Sequence, residues 1–345
     1  MLGTRPKDIA WEAFDWQEVF QQAVGHGVLA SLAVFLADQH VLRGDADLHQ
    51  FVTEYPRRVR AKNKFLTQEL VQVQGWLREA GVQSLVFKGP PLASLGYGGL
   101  DRRTCVDLDL IISPDAFHDA KQVLHENGYR YSSPVNGPLG ERARQFFDRQ
   151  HTFTRGQNVF QLDLHTGIMP PLYMYKPEFE NLLSRAHSVE IEGWKVRSLA
   201  PPDLLLALCH QGQKDRWNRL KYVHDVAVVV PLLEDTWTSL LQRAKSEGSL
   251  RVLYMGLYLA YSLLDVRLPD DVREAIKRDG RVALIGDWAI EKMSRRLRQP
   301  TDSLWERVRL HTLIQDSIGG TMRYTFFAGL RKLWYYTDLL LSGGR

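Results

Sequence analysis

The stretch that decides the fold is VDLDLIIS, residues 106–113. Its apolar side chains at Leu108, Leu110 and Ile112 alternate with the acidic side chains of Asp107 and Asp109. Because successive side chains of a β-strand point to opposite faces, both carboxylates lie on one face and the three apolar side chains lie on the other. The stretch therefore predicts a strand with its apolar face against a core and two acids on the opposite face.

The segments on either side of this strand predict a small mixed sheet. In chain order they are a strand at 84–88, a helix starting at Pro90, a helix between Pro114 and Gly128, a hairpin of strands 151–155 and 159–165, and a strand over 189–196. The helix starts and ends are indicated by proline in a first turn and by Asn-Gly after a last turn. The hairpin is indicated by two alternating runs around a short polar turn.

The chain outside the predicted sheet has helical periodicity, with apolar residues recurring three and four positions apart. We predict an N-terminal helical segment over 1–82, an α/β core over 83–200 and a C-terminal helical domain over 201–345. Helices, then a sheet, then helices indicate an α+β fold, since an α/β fold would alternate strands and helices throughout.

Composition excludes several classes of protein. The 345 residues are 44% hydrophobic and 24% charged, as in ordinary globular proteins, and the net charge of +4 is too small to argue for nucleic acid binding. Two cysteines, Cys105 and Cys209, are too few for a disulfide framework or a structural zinc site. The first residues lack the apolar core of a secretion signal and no apolar run reaches the length of a membrane span. We therefore expect a cytoplasmic protein that does not bind membranes.

The acidic residues indicate a metal site. Two carboxylates on one sheet face repel each other, and a divalent cation removes that repulsion; oxygen ligands suit Mg²⁺ or Mn²⁺. Asp163 lies in a similar apolar frame, FQLDLH, and would join Asp107 and Asp109 if its strand pairs beside theirs. Three such carboxylates hold the metal ions that bridge a nucleotide's phosphates in phosphoryl transfer. The alternative is that Asp107 and Asp109 are only the solvated face of an edge strand.

The basic residues near the acids indicate a phosphate site. Lys88 and Gly89 end the strand at 84–88, where a loop leads into a helix, and Arg103 precedes Asp107 by four positions. The alternative is that both cations are solvated loop charges.

Two residues of the C-terminal half are candidates to line the same pocket. His210 and Lys214 are four positions apart, hence on one face of a helix, and would reach phosphate or base. A solvated helix face is the equally simple alternative for this pair.

The residues in their order resemble a known family. Lys88-Gly89 followed by Leu92 and Tyr97, Arg103 before the Asp107–Asp109 pair, and Leu162-Asp163-Leu164-His165 look like the uncharacterised bacterial nucleotidyltransferases of the DNA polymerase β superfamily. A second segment is similar to the helical region of that family; it contains His210, Lys214, Trp217, Arg219-Leu220-Lys221 and Asp225. The resemblance covers about residues 60–230.

The resemblance implies a polymerase-β-type core and a Mg²⁺-dependent transfer of an NMP from an NTP, with Asp107, Asp109 and Asp163 as metal ligands. The acceptor implied is an unidentified hydroxyl on a small molecule, peptide or protein, and nucleic acid is not favoured. Lys88-Gly89-Pro90 stands where the wider superfamily has Gly-Ser, and Pro90 and Pro91 lack N–H donors for a phosphate. That departure motivates the alternative of a catalytically weak member that serves in binding or assembly.

Overall fold

The structure is a computed structural model that describes residues 11, 14–39, 45–132, 146–157, 159–295 and 310–341, with side chains through residue 330. In this part of the chain seven strands form one mixed sheet, and helices pack on both of its faces. The predicted α+β class, a mixed sheet flanked by N-terminal and C-terminal helices, is confirmed.

The helices fall into three groups along the chain. Before the sheet lie α1 (Trp16–His26), α2 (Leu29–Gln39) and α3 (Ala46–Glu79); within it lie α4 (Pro90–Leu95), α5 (Phe117–Glu126) and α6 (Phe179–Arg185); after it lie α7 (Pro201–Lys214), α8 (Leu220–Val229), α9 (Trp237–Ser246), α10 (Leu250–Leu264), α11 (Asp270–Arg278), α12 (Gly280–Arg295) and α13 (Ile318–Leu341). Asp15 caps α1 by accepting from the backbone N–H groups of its first turn, and Asp45 caps α3 in the same way. No helix in the described residues has the length and apolarity needed to cross a bilayer.

The strand that carries Asp109 lies in the middle of the sheet. The strands are β1 (Ser84–Val86), β2 (Leu108–Ile112), β3 (Arg130–Ser132), β4 (Gln150–Arg155), β5 (Phe160–His165), β6 (His187–Ile191) and β7 (Trp194–Ser198), in the spatial order β3-β4-β5-β2-β1-β7-β6. Strand β2 pairs antiparallel with β1 and parallel with β5. The alternative of a solvated edge strand is therefore wrong.

The two faces of β2 meet different layers, as the alternation predicts. Leu108, Leu110 and Ile112 are fully buried in a cluster that includes Leu70 and Leu77 of α3. Burying a leucine side chain contributes about 1.5–3 kcal/mol. This fixes the register of the strand, because a slip by one residue would turn the acids into the apolar cluster and the leucines out of it. The opposite face, marked by Ile111, packs with the C-terminal helices. The acids therefore lie between the sheet and the helical half.

Two sequence predictions need correction. The single strand predicted over 189–196 is a hairpin of β6 and β7, whose turn residues Glu192 and Gly193 both have positive φ (49° and 87°). Gly193 thus indicated a two-residue turn and not an irregularity inside one strand. Asp107 lies one residue before β2, so it belongs to the loop that leads into the strand and not to the strand itself.

Candidate active site

The parallel pairing of β2 with β5 brings the acidic residues of two distant segments together. Asp109 and Asp163 are direct partners in the register, so their side chains lie on the same face of neighbouring strands. Asp109 is 3% exposed and Asp163 is 4% exposed, whereas Asp107 at the start of the strand is partly open to solvent. The arrangement places two buried carboxylates side by side and a third at the more accessible end of β2.

The carboxylate of Asp109 is held by two basic side chains. Lys88 Nζ lies 2.9 Å from Asp109 Oδ1, and His165 Nε2 lies 3.2 Å from the same oxygen. Burial by itself would raise the pKa of Asp109, but the ammonium of Lys88 and the hydrogen bond from His165 bring that pKa well below its usual value. Asp107 behaves differently, since burial and then the charge of Asp109 both raise its pKa.

Asp163 is oriented by polar side chains of the neighbouring strand β4. Gln150 Nε2 donates to Asp163 Oδ2 over 2.8 Å, and Thr152 Oγ1 donates to Asp163 Oδ1 over 2.7 Å. Gln150 and Thr152 were not predicted as site residues. The hairpin register pairs Thr152 with Asp163. The alternating polar residues of the strand 150–155 were therefore the sequence signal that could have identified them as partners of Asp163.

The acidic cluster fits Mg²⁺ or Mn²⁺ by the chemistry of its donors, which are all carboxylate oxygens. Within the described residues, however, no group of three or more His, Cys, Asp or Glu side chains is arranged so that it could hold a metal ion. The protein's own side chains explain this difference from the predicted ligand set, because Lys88 and His165 bond Asp109 while Gln150 and Thr152 bond Asp163. The three predicted ligands are neighbours, but they do not converge.

Arg103 does not point at the acidic cluster. Its Nε and Nη2 donate to Asp225 Oδ1 and Oδ2 over 2.7 and 2.9 Å, and the hydroxyl of Tyr97 donates to the same carboxylate over 2.7 Å. Burial would raise the pKa of Asp225, but the guanidinium of Arg103 holds it below its usual value. Arg103 therefore ties the loop before β2 to helix α8. Asp225 belongs to the helical segment that carries the family resemblance, but sequence reasoning assigned it no role and no partner.

The loop that carries Arg103 is anchored from behind by Asn63 of α3, which is fully buried. Its Nδ2 donates to the carbonyls of Leu100 (2.6 Å) and Arg103 (2.7 Å), and its Oδ1 accepts from the N–H of Cys105 at 3.3 Å. An unpaired buried polar group costs about 1–3 kcal/mol, so this amide satisfies backbone groups that the irregular loop would leave without partners. Asn63 thereby positions the loop that leads into Asp107.

Lys88 and Gly89 lie beside Asp107, as predicted. Gly89 has φ 70° and ψ −140° and precedes α4, and a Cβ placed on it would lie 3.7 Å from the carbonyl oxygen of Asp107. Pro90 and Pro91 are the first residues of this short helix and are buried. The loop therefore presents the Lys88 ammonium to the cluster, with no N–H from the two prolines.

His210 lies in the helical core. It is 2% exposed, its Nε2 lies 2.9 Å from Ser249 Oγ, and its ring stacks on Tyr175 at a centroid distance of 4.3 Å. The alternative of a solvated helix face is therefore wrong for His210, and the partners found for it are Ser249 and Tyr175 and not the acidic cluster. Lys214 is the last residue of α7. The basic side chain that the helical half brings near the acids is Lys221; burial lowers its pKa, and the charge of Lys221 in turn lowers the pKa of Asp107.

The buried His210 predicts acid-sensitive stability. Burial lowers its pKa from 6.5 to about 3, so the side chain stays neutral in the folded state. Its contribution is complete above pH 6.5 and is lost as the pH falls from 6.5 toward 3, because the unfolded state binds the proton first. By this linkage the wild type should lose about 2 kcal/mol between pH 7 and pH 5 that His210→Gln does not lose.

Urea unfolding of both proteins at the two pH values measures this difference. His118→Gln, on the exposed side of α5, is the matched control and should follow the wild type. An equal loss of stability in the wild type and His210→Gln would contradict the prediction.

Comparisons with known proteins show what the chain is similar to. A family model described as "Uncharacterised nucleotidyltransferase" matches residues 12–265, which is most of the chain. No curated protein matches it. Among solved structures, the chain is similar to the antibiotic-resistance factor ANT(2″)-Ia in solution (12% identity, 53% of this chain and 92% of that chain, TM-score 0.39) and in a crystal with adenylyl-2″-tobramycin (12%, 52% and 96%, 0.38). It is also similar to an antigenic nucleotidyltransferase-like protein from Paracoccidioides brasiliensis (16%, 55% and 91%, 0.31).

Proposed function

We propose that this chain, which belongs to the family of uncharacterised nucleotidyltransferases, moves an NMP from an NTP to a hydroxyl group of a small molecule, peptide or protein. The observation that supports this most is the placement of Asp109 and Asp163 on adjacent strands, with Asp107 at the open end and Lys88 against Asp109. Acids and a cation on one water-poor face are what phosphoryl transfer requires, since its catalysis is mostly positioning and charge stabilisation.

Each side chain has a distinct role in this proposal. Asp107 and Asp109, with Asp163 beside them, would hold Mg²⁺ or Mn²⁺, which neutralises the charge of the nucleotide's phosphates. Lys88 bonds Asp109 in the protein alone and would turn to a phosphate when nucleotide binds. Gln150 and Thr152 fix the carboxylate of Asp163, and this fixed orientation suits a base.

The proposed reaction is an in-line displacement at the α-phosphorus. The acceptor oxygen forms a bond to phosphorus while the bond to the β-phosphate oxygen breaks, and pyrophosphate leaves with that electron pair. The proton of the acceptor hydroxyl passes to Asp163. Lys88 stabilises the charge that accumulates on the departing phosphates, and Arg103 keeps the loop before Asp107 in place through Asp225.

A second candidate is a binding or assembly protein with weak or no transferase activity. The ion pair between Lys88 and Asp109 favours it, because an internal ammonium already neutralises a proposed metal ligand. The prolines at 90 and 91 favour it as well, since they remove two N–H donors that would face a phosphate.

Nucleotide binding separates the two candidates. Isothermal titration of the protein with each NTP, with and without Mg²⁺, should give a dissociation constant between micromolar and sub-millimolar for at least one NTP, and Mg²⁺ should tighten it. Asp107→Asn should remove the effect of Mg²⁺ while the protein stays folded. Asp115→Asn, on the exposed turn after β2, is the matched control and should bind like the wild type. Absence of heat with every NTP in a folded sample would favour the binding protein.

A further inference from the structure

One face of helix α8 is directed at the site region. Asp225 on this face binds Arg103 and Tyr97, and Val228 lies so close to Gly96 that a Cβ there would come within 2.7 Å of Val228 Cγ2. Residues four apart share a helix face, so Lys221 lies on the same face as Asp225, one turn nearer the start of the helix. Lys221 therefore lies on the side of α8 that faces the end of α4 and the loop before β2.

Lys221 is the basic side chain of this region that has no carboxylate bonded to it. Lys88 is paired with Asp109 and Arg103 is paired with Asp225, whereas within the described residues no acid lies at ion-pair distance from Lys221. Burial lowers the pKa of Lys221, and the charges of Arg103 and Lys88 lower it further. The carboxylates of Asp225 and Asp107 act in the opposite direction and raise this pKa, although neither is bonded to Lys221. A cation in such surroundings is stabilised by an incoming anion, and phosphate is the anion that this site is proposed to receive.

The α1–α2 corner holds the stem of Lys221. Gly27 ends α1 with φ 70°, and a Cβ on it would lie 2.9 Å from Lys221 Cδ. The N–H of Leu220 donates to His26 Nδ1 over 3.3 Å, and Ser31 Oγ donates to the carbonyl of Arg102 over 2.6 Å. The corner thus contacts both the start of α8 and the loop before β2. Only glycine combines this backbone conformation with the space that the lysine stem occupies.

We propose that Lys221 contacts the phosphates of the bound nucleotide and that Gly27 is a positioning residue, which lets the α1–α2 corner hold the lysine there. The inference rests on the proposed function, because it assigns a further contact to the same nucleotide. It makes the N-terminal helices part of the nucleotide site, whereas the sequence placed them outside the catalytic core.

A double-mutant cycle on nucleotide affinity tests the proposal. The probe is the NTP that the wild type binds, titrated with Mg²⁺ by calorimetry. Lys221→Met should weaken binding about tenfold, the low end for loss of a charge-assisted contact. Gly27→Ala should weaken binding in the same direction, and the double variant should bind no worse than Lys221→Met alone, because both changes remove one contact. Lys221→Arg should retain most of the affinity.

Controls separate this inference from folding defects and from the proposed function. Gly75→Ala, on α3 where nothing lies within 4 Å of an added Cβ, should bind like the wild type. Thermal unfolding shows whether each variant is folded. If Gly27→Ala does not fold, the affinity of Lys221→Met alone still tests the contact of Lys221 with the nucleotide. Additive losses in the double variant, or unchanged affinity in Lys221→Met, would overturn the inference while leaving the proposed function intact. A wild type that binds no NTP would overturn both.

Discussion

Replacing Asp107 and Asp109 together by asparagine should reduce transfer of label from an α-labelled NTP to its acceptor by at least about 10³-fold. The two carboxylates are the proposed ligands of the cation at the open end of the cluster, and asparagine keeps their size while removing both charges. The measurement is incubation of each α-labelled NTP with Mg²⁺ and cell extract, followed by separation of labelled products. A product that appears only with the wild type also identifies the acceptor.

The control for this experiment is an acidic pair outside the site. Asp115→Asn with Asp119→Asn changes the same number of charges at exposed positions after β2 and should label normally. If the variant Asp107→Asn/Asp109→Asn labels the acceptor as strongly as the wild type does, the cluster is not the reaction centre.

Asp225→Ala should lower the free energy of unfolding by about 3–5 kcal/mol, the usual result of removing one partner from a buried ion pair. Asp225 is 3% exposed, and its loss leaves the guanidinium of Arg103 without a counter-ion and the hydroxyl of Tyr97 without an acceptor. Urea unfolding at pH 7 measures the change. The variant should also loosen the loop before Asp107, which hydrogen exchange of its amides would detect.

The control for Asp225→Ala is Asp235→Ala, because Asp235 is an exposed aspartate after α8. This change should alter the free energy of unfolding by less than about 0.5 kcal/mol. Arg103→Met with Asp225→Leu replaces both charges by apolar groups and should recover much of the lost stability. If Asp225→Ala is as stable as the wild type, the ion pair does not hold α8 to the sheet.

Local patterns in the sequence were sufficient to predict the centre of the fold. Alternation around Leu108 and Leu164 gives two strands with acids on one face, and the structure pairs those strands in the register that sets Asp109 beside Asp163. The turn at Gly193 was misread because a glycine in a strand indicates either an irregularity or a turn, and composition alone does not distinguish them. The family assignment from ordered motifs is confirmed.

The partners of the charged side chains could not be predicted in the same way. Arg103 meets Asp225 across 122 positions of sequence, and His210 meets Ser249 across 39, so no local period relates them. Asn63 shows the same limit, since an asparagine in a long helix gives no sign that it will bond the backbone of a loop. Helical spacing predicts which residues share a face, and tertiary packing decides what that face meets.

The partnership of Arg103 and Asp225 has a consequence for synthesis of the protein. A chain growing from its N-terminus completes β2 and β5 well before residue 225 has been added, so during that interval the arginine has no counter-charge to be buried against. The loop before β2 therefore cannot pack completely until α8 has been synthesised. Nascent chains that end before α8 should be more sensitive to proteases and more dependent on chaperones than the full chain.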